Sequence, residues 1–101
     1  MSGLPAGDVE RLHAAARAIR DRTPAQAERL LDEVLARHPA HAEALRLLAI
    51  LQLHTQRAPE AVATLQEAIA RHPGDALLHA DLGNAHSARG ERDAAIALIG
   101  A

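Results

Sequence analysis

The tetrapeptide Ala36-Arg37-His38-Pro39 returns as Ala70-Arg71-His72-Pro73, a step of 34 residues. Other positions keep the same step: Ala27, Ala61 and Ala95; Leu31, Leu65 and Ile99; Leu48 and Leu82; Ala49 and Gly83. A fixed step in this range marks an array of stacked units, each too small to bury its own hydrophobic face. The register divides the chain into units 8–41, 42–75 and 76–101, preceded by residues 1–7, in which Gly3, Pro5 and Gly7 predict a flexible leader.

Within each unit the apolar residues recur at helical spacing. Val9, Leu12, Ala16 and Ile19 form a stripe on a first helix, which Asp8 is placed to cap and which runs to about Asp21. Arg22-Thr23-Pro24 reads as a turn, with Thr23 as N-cap and Pro24 in the first helical position of a second helix. That helix ends at His38-Pro39, because the residue before proline is driven out of helical conformation. A third helix, from about Ala42 to Thr55, is apolar around most of its circumference and therefore belongs inside the array. Pro59 opens a fourth, which stops at His72-Pro73-Gly74. Asp75 caps a fifth helix, read as ending near Arg89 with Gly90 making the turn into a sixth from about Arg92. By this register the chain ends within the second helix of its third unit. It reads either as a fragment of a longer protein or as a chain that covers its open end by self-association.

The central unit resembles the tetratricopeptide repeat, an antiparallel helix pair with the pattern W-x2-L-G-x2-Y, then A-x3-F, then P. Those places hold Leu45, Leu48, Ala49, Gln52, Ala61, Leu65 and Pro73. The small residues and the proline fit, while Leu and Gln replace the aromatics. The third unit keeps Leu82-Gly83-Asn84-Ala85 and Gly90, and the first is the most divergent, with Arg11, Ala14, Ala15 and Ala18 at its signature places. The resemblance implies an all-α, right-handed helix-turn-helix solenoid of about three repeats, the last truncated. It also implies that the first helices of successive units line a concave groove. The groove residues so assigned are Leu12, Ile19, Arg46, Ile50, Leu53, Leu77 and Asn84. The best-known use of the fold grips a partner's C-terminal carboxylate with Lys, Arg and Asn. Here Leu12, Ala16, Leu47, Leu77 and Asp81 stand at those places, so the clamp is absent. An apolar stripe with Arg46 and Asn84 as polar handles remains, suited to an amphipathic helix or an extended peptide; the alternative is that Val9, Leu12 and Ile19 simply pack within the first unit.

Composition narrows the function classes. The chain has no Phe, Tyr or Trp and a net charge of −2, so it offers neither stacking platforms nor a basic footprint for nucleic acid. It has no cysteine, which removes thiolate ligands and disulfides. No apolar run approaches a membrane span, and the N-terminus lacks a signal-peptide core, so a cytoplasmic protein without membrane contact is expected. The seven histidines raise the question of a metal. His79 and His86 lie on one helix face but about 10 Å apart along the axis, too far to share an ion, and are read as filling space between helices. His38 and His41 flank Pro39 with no third ligand near in sequence, so no metal site is expected. The carboxylates sit at helix starts or on solvated faces, no hydroxyl has a base and orienter at suggestive spacing, and there is no phosphate loop.

The expectation is therefore a protein-interaction or scaffold module with no catalysis and no cofactor. Two alternatives stand beside it. Ala- and Leu-rich units of this kind resemble the N-terminal repeats of bacterial multidomain enzymes such as sulfotransferases or glycosyltransferases. The chain could also form a homodimer through an uncapped face carrying Ile96 and Ile99.

Overall fold

The computed structural model describes residues 4–100, with side chains described as far as residue 91. Among these residues there are five α-helices and no strand: α1 (Ala6–Arg20), α2 (Pro24–Arg37), α3 (Ala42–His54), α4 (Ala58–Arg71) and α5 (Ala76–Gly100). They stack consecutively into an elongated all-α repeat array of 52 × 31 × 18 Å.

The two helix-pair turns are built alike, 34 residues apart. Arg22 and Gln56 adopt left-handed backbone conformations, with φ of 62° and 63°. The amide of the next residue reaches back five positions, Thr23 N to Ala18 O at 2.9 Å and Arg57 N to Gln52 O at 2.7 Å. The amides of Arg22 and Gln56 donate to Ile19 O and Leu53 O, each three residues back. This is the Schellman arrangement, which satisfies the last carbonyls of a helix and reverses the chain. Prolines at the start of α2 and α4 then open the next helix in each pair. Thr23 holds the expected N-cap position of α2, but its hydroxyl donates to Ala18 O instead of accepting from α2. Asp75 does cap α5, accepting from the amides of Leu77 and Leu78.

The third unit departs from the expected hairpin. The residue in register with Arg22 and Gln56 is Gly90, the type best suited to left-handed conformation, yet α5 runs through it as one helix of 25 residues. Glu91-Arg92-Asp93 follows in place of a proline, so nothing in the local sequence forbids continuation. Gly83 shows the same departure. Its counterpart Ala49 is 1% exposed, whereas a side chain added at Gly83 would meet nothing within 4 Å. The small residue of the third unit therefore faces open space instead of a crossing helix.

Two hydrophobic clusters form the core, and α3 is their shared wall. Ala44, Leu47 and Leu51 join α1 and α2 in the first cluster. Leu45 and Ala49 join α4 and α5 in the second. This explains why α3 is apolar nearly all round. The repeat register is visible in burial, with Ala27, Leu31, Ala61 and Leu65 each at 0% exposure. Gln52 is the buried polar residue of α3, and its Oε1 accepts from the Thr64 hydroxyl at 2.8 Å across the second pair.

The chain's first helix begins at Ala6, and Leu4 packs against the first cluster. Asp8 consequently lies inside the helix and does not cap it. The residue is 1% exposed, and its carboxylate gathers the end of α2. Arg11 Nη1 donates to Asp8 Oδ1 at 2.9 Å, Arg37 donates to both carboxylate oxygens, and His38 Nε2 lies 3.0 Å from Oδ2. The Arg37 hydrogen bond, opposed by burial and assisted by His38 and Arg11, holds the Asp8 carboxyl well below the usual carboxylate range. A negative charge in the first turn of α1 thus meets positive charge at the last turn of α2, complementing both helix dipoles.

Candidate protein-docking surface

The order of contacts fixes which helices face inward. α1 touches α3 and α3 touches α5, while α2 and α4 make no such contact among the described residues. The first helices of the units therefore run side by side on one wall, taken as the inner one, and α2 and α4 stand apart on the outer one.

Along that wall the expected groove residues separate into two groups. Leu12 and Ile19 are 6% and 7% exposed and belong to the first core cluster, so their side chains hold α1 in place. Ile50 and Leu53 are half-buried, flanking the first and second clusters respectively. Leu77 is 58% exposed, the larger of two large apolar exposures among the described residues, the other being Val9. Asn84 is exposed. Arg46 is already engaged: its Nε donates to Asp81 Oδ2 at 2.5 Å, and Glu43 lies 3.9 Å from its Nη1. It ties the second unit to the third across the inner wall. The side chains of Ile96 and Ile99, the expected self-association face, lie outside the described residues.

Beside the ends of α1 and α3 lies a cleft of about 530 Å³. Its lining includes the buried Ile19 and Leu51 as its floor, the half-buried Thr55, and the exposed Arg20, Arg22, Pro24 and His54 at its rim. Of these lining residues, Ile19 is one that the resemblance assigns to the groove. Arg22 and Thr55 come from turns and Pro24 opens α2, positions whose place around the array periodicity does not specify. The signal that could have found them is the paired Schellman turn, which fixes the direction of residues just past a helix end.

The histidines have other roles. His41 Nδ1 accepts from the Ala44 amide at 3.2 Å and caps α3. Burial, reinforced by the neighbouring His38, lowers its pKa from the ordinary value. His72 donates from Nε2 to Ala40 O, fastening the second unit boundary to the first. His79 and His86, expected to fill space between helices, are exposed, because no sixth helix packs over them. Among the described residues no three histidine, aspartate or glutamate side chains converge as a metal-ligand set. No helix among them is long and apolar enough to cross a membrane.

A family model described as a tetratricopeptide repeat matches residues 18–80 and again 57–101. No curated protein matches the sequence, and no solved structure does.

Proposed function

Because the chain belongs to the tetratricopeptide repeat family, whose members mediate protein–protein interaction, we propose that it is a docking module with no catalysis of its own. Its partner would be a helix or an extended peptide laid along α3 and α5. The observation that carries this reading is the exposed apolar edge of the inner wall. Leu77 stands free, with the half-buried Ile50 and Leu53 beside the Arg46–Asp81 bridge. An amphipathic partner helix would cover that edge with residues at i, i+3 and i+4. The bridge gives it a polar register mark, since a partner carboxylate could share Arg46 with Asp81.

The test is binding of a panel of amphipathic helical peptides to the immobilised chain. Leu77→Glu and Ile50→Glu are expected to weaken every captured peptide at least tenfold with the helical circular-dichroism spectrum retained. Leu77 is exposed, so its variant keeps the fold even where Ile50→Glu disturbs it. Undiminished capture by Leu77→Glu would move the docking surface elsewhere.

A second reading is favoured by the unclosed third unit. With Gly83 in open space and α5 continuous, the face a sixth helix would cover is available to another copy of the chain, giving a homodimer. Sedimentation equilibrium separates the two readings: a concentration-independent monomer leaves only the docking module.

A further inference from the structure

We propose that the cleft beside the ends of α1 and α3 is a second binding site, specific for an acidic peptide segment with an aliphatic anchor residue. The proposal does not depend on Leu77, which lies on α5 and does not line the cleft.

The argument starts from charge. Of the residues around the cleft, Arg20, Arg22 and His54 carry or can carry positive charge, and none carries a carboxylate. Among the described residues four arginines are neutralised: Arg11 and Arg37 by Asp8, Arg46 by Asp81, Arg57 by Glu28 and Glu60, while Arg17, Arg29, Arg71 and Arg89 stand unpaired but line no cleft with a second arginine. Arg20 and Arg22 have no ion-pair partner among the described residues, and Asp21 between them does not line the cleft. Two guanidinium groups at the mouth of one concavity repel each other and attract a carboxylate, which each can bind through paired N–H donors.

The rest of the lining says which anion. Two backbone amides beside the cleft are used within the turn: Arg22 N goes to Ile19 O and Thr23 N to Ala18 O. The Thr55 hydroxyl donates to Leu51 O and accepts from Arg57 Nε. The floor is aliphatic, Ile19 and Leu51, with Pro24 beside it. A ligand must therefore bring an apolar group for the floor together with carboxylates for the rim. A polynucleotide meets neither an aromatic platform nor a net positive chain. A peptide in which glutamate or aspartate flanks a leucine supplies both parts, and a volume of about 530 Å³ accommodates a few side chains.

Arg22 makes the idea testable without risk to the fold. It occupies the left-handed position of the Schellman turn, where glycine is the preferred residue. Arg22→Gly therefore removes a rim charge while relieving the backbone, and its melting temperature is expected to equal or exceed that of the parent. The probe is the blocked peptide acetyl-Glu-Asp-Leu-Glu-Asp-amide, titrated into the chain and followed by amide NMR shifts. Saturable shifts confined to residues 19–24 and 51–55 are expected, with the dissociation constant raised at least fivefold in Arg22→Gly and in Arg20→Gln. The Leu77→Glu variant should bind the probe as the parent does. The proposal is overturned if those amides do not shift, or if Arg22→Gly binds unchanged. It is also overturned if inorganic phosphate alone reproduces the shifts, or if a probe with serine in place of leucine binds equally well. Loss of amphipathic-helix capture in Leu77→Glu with the acidic probe still bound would show two independent sites.

Discussion

Asp8 and His41 mark the two sides of the first unit boundary, and both make the array sensitive to acid. His41 caps α3 through an unprotonated Nδ1, and its pKa is lowered by burial and by His38. A folded-state pKa below the unfolded one means that the neutral ring contributes stability at pH values above the ordinary histidine range. That contribution is lost as pH falls through the lowered value. Asp8, held well below the usual carboxylate range by Arg37, behaves in the same sense further into acid. Thermal unfolding followed from pH 8 to pH 3 should therefore show a decline beginning below about pH 6.5, followed by a second in the carboxylate range. His41→Ala should abolish the first step and cost about 1 kcal/mol at pH 8, the usual worth of an N-cap. A pH profile of His41→Ala superimposable on that of the parent would contradict this role. These residues also show where sequence was silent. The tetrapeptide Ala-Arg-His-Pro made the period plain, yet its two copies do different work. Arg37 and His38 close on Asp8, whereas the residue in register for Arg71 and His72 is Ala42, and His72 turns to Ala40 O. Identity at 34 residues' remove reports a shared backbone, and the side chains answer to whatever the neighbouring unit offers.

Among the elements, α1 to α4 follow from periodicity and punctuation, and α5 does not. Prolines and left-handed turns enforce the first two hairpins. At Gly90 the sequence supplies the residue a turn prefers but no residue that stops a helix, and hydrogen bonding carries α5 onward. The expected turn was drawn from register alone, which cannot weigh a permissive glycine against a missing proline. Gly90→Ala discriminates between the two forms. In a continuous helix with open space around residue 90, the change should stabilise by about 0.5–1 kcal/mol, through higher helix propensity. In a hairpin with residue 90 left-handed, alanine would be strained and the midpoint of urea unfolding would fall. Measured helicity of Gly90→Ala rising with its midpoint is the outcome that agrees with α5 as one helix.

For the whole molecule, the architecture was legible because a repeat leaves its signature in spacing, and burial of Ala27, Leu31, Ala61 and Leu65 returns that spacing in three dimensions. The candidate surface was less so. Whether Leu12 and Ile19 faced a partner or a neighbouring helix depended on how tightly α1 lies on α3, which no single helix records; both proved buried. The cleft at Arg20 and Arg22 depended on two turns meeting in space. The shared wall formed by α3 has a further consequence. With one face of α3 in each cluster, the two halves of the array cannot lose their cores separately without exposing that helix. In a one-dimensional chain of coupled units this makes α3 the link that transmits cooperativity. Native-state hydrogen exchange should find the slowest amides in α3, opening only with global unfolding. Those of α1 and α5, each buried from one side, should exchange through partial openings of lower free energy that fray inward from the ends.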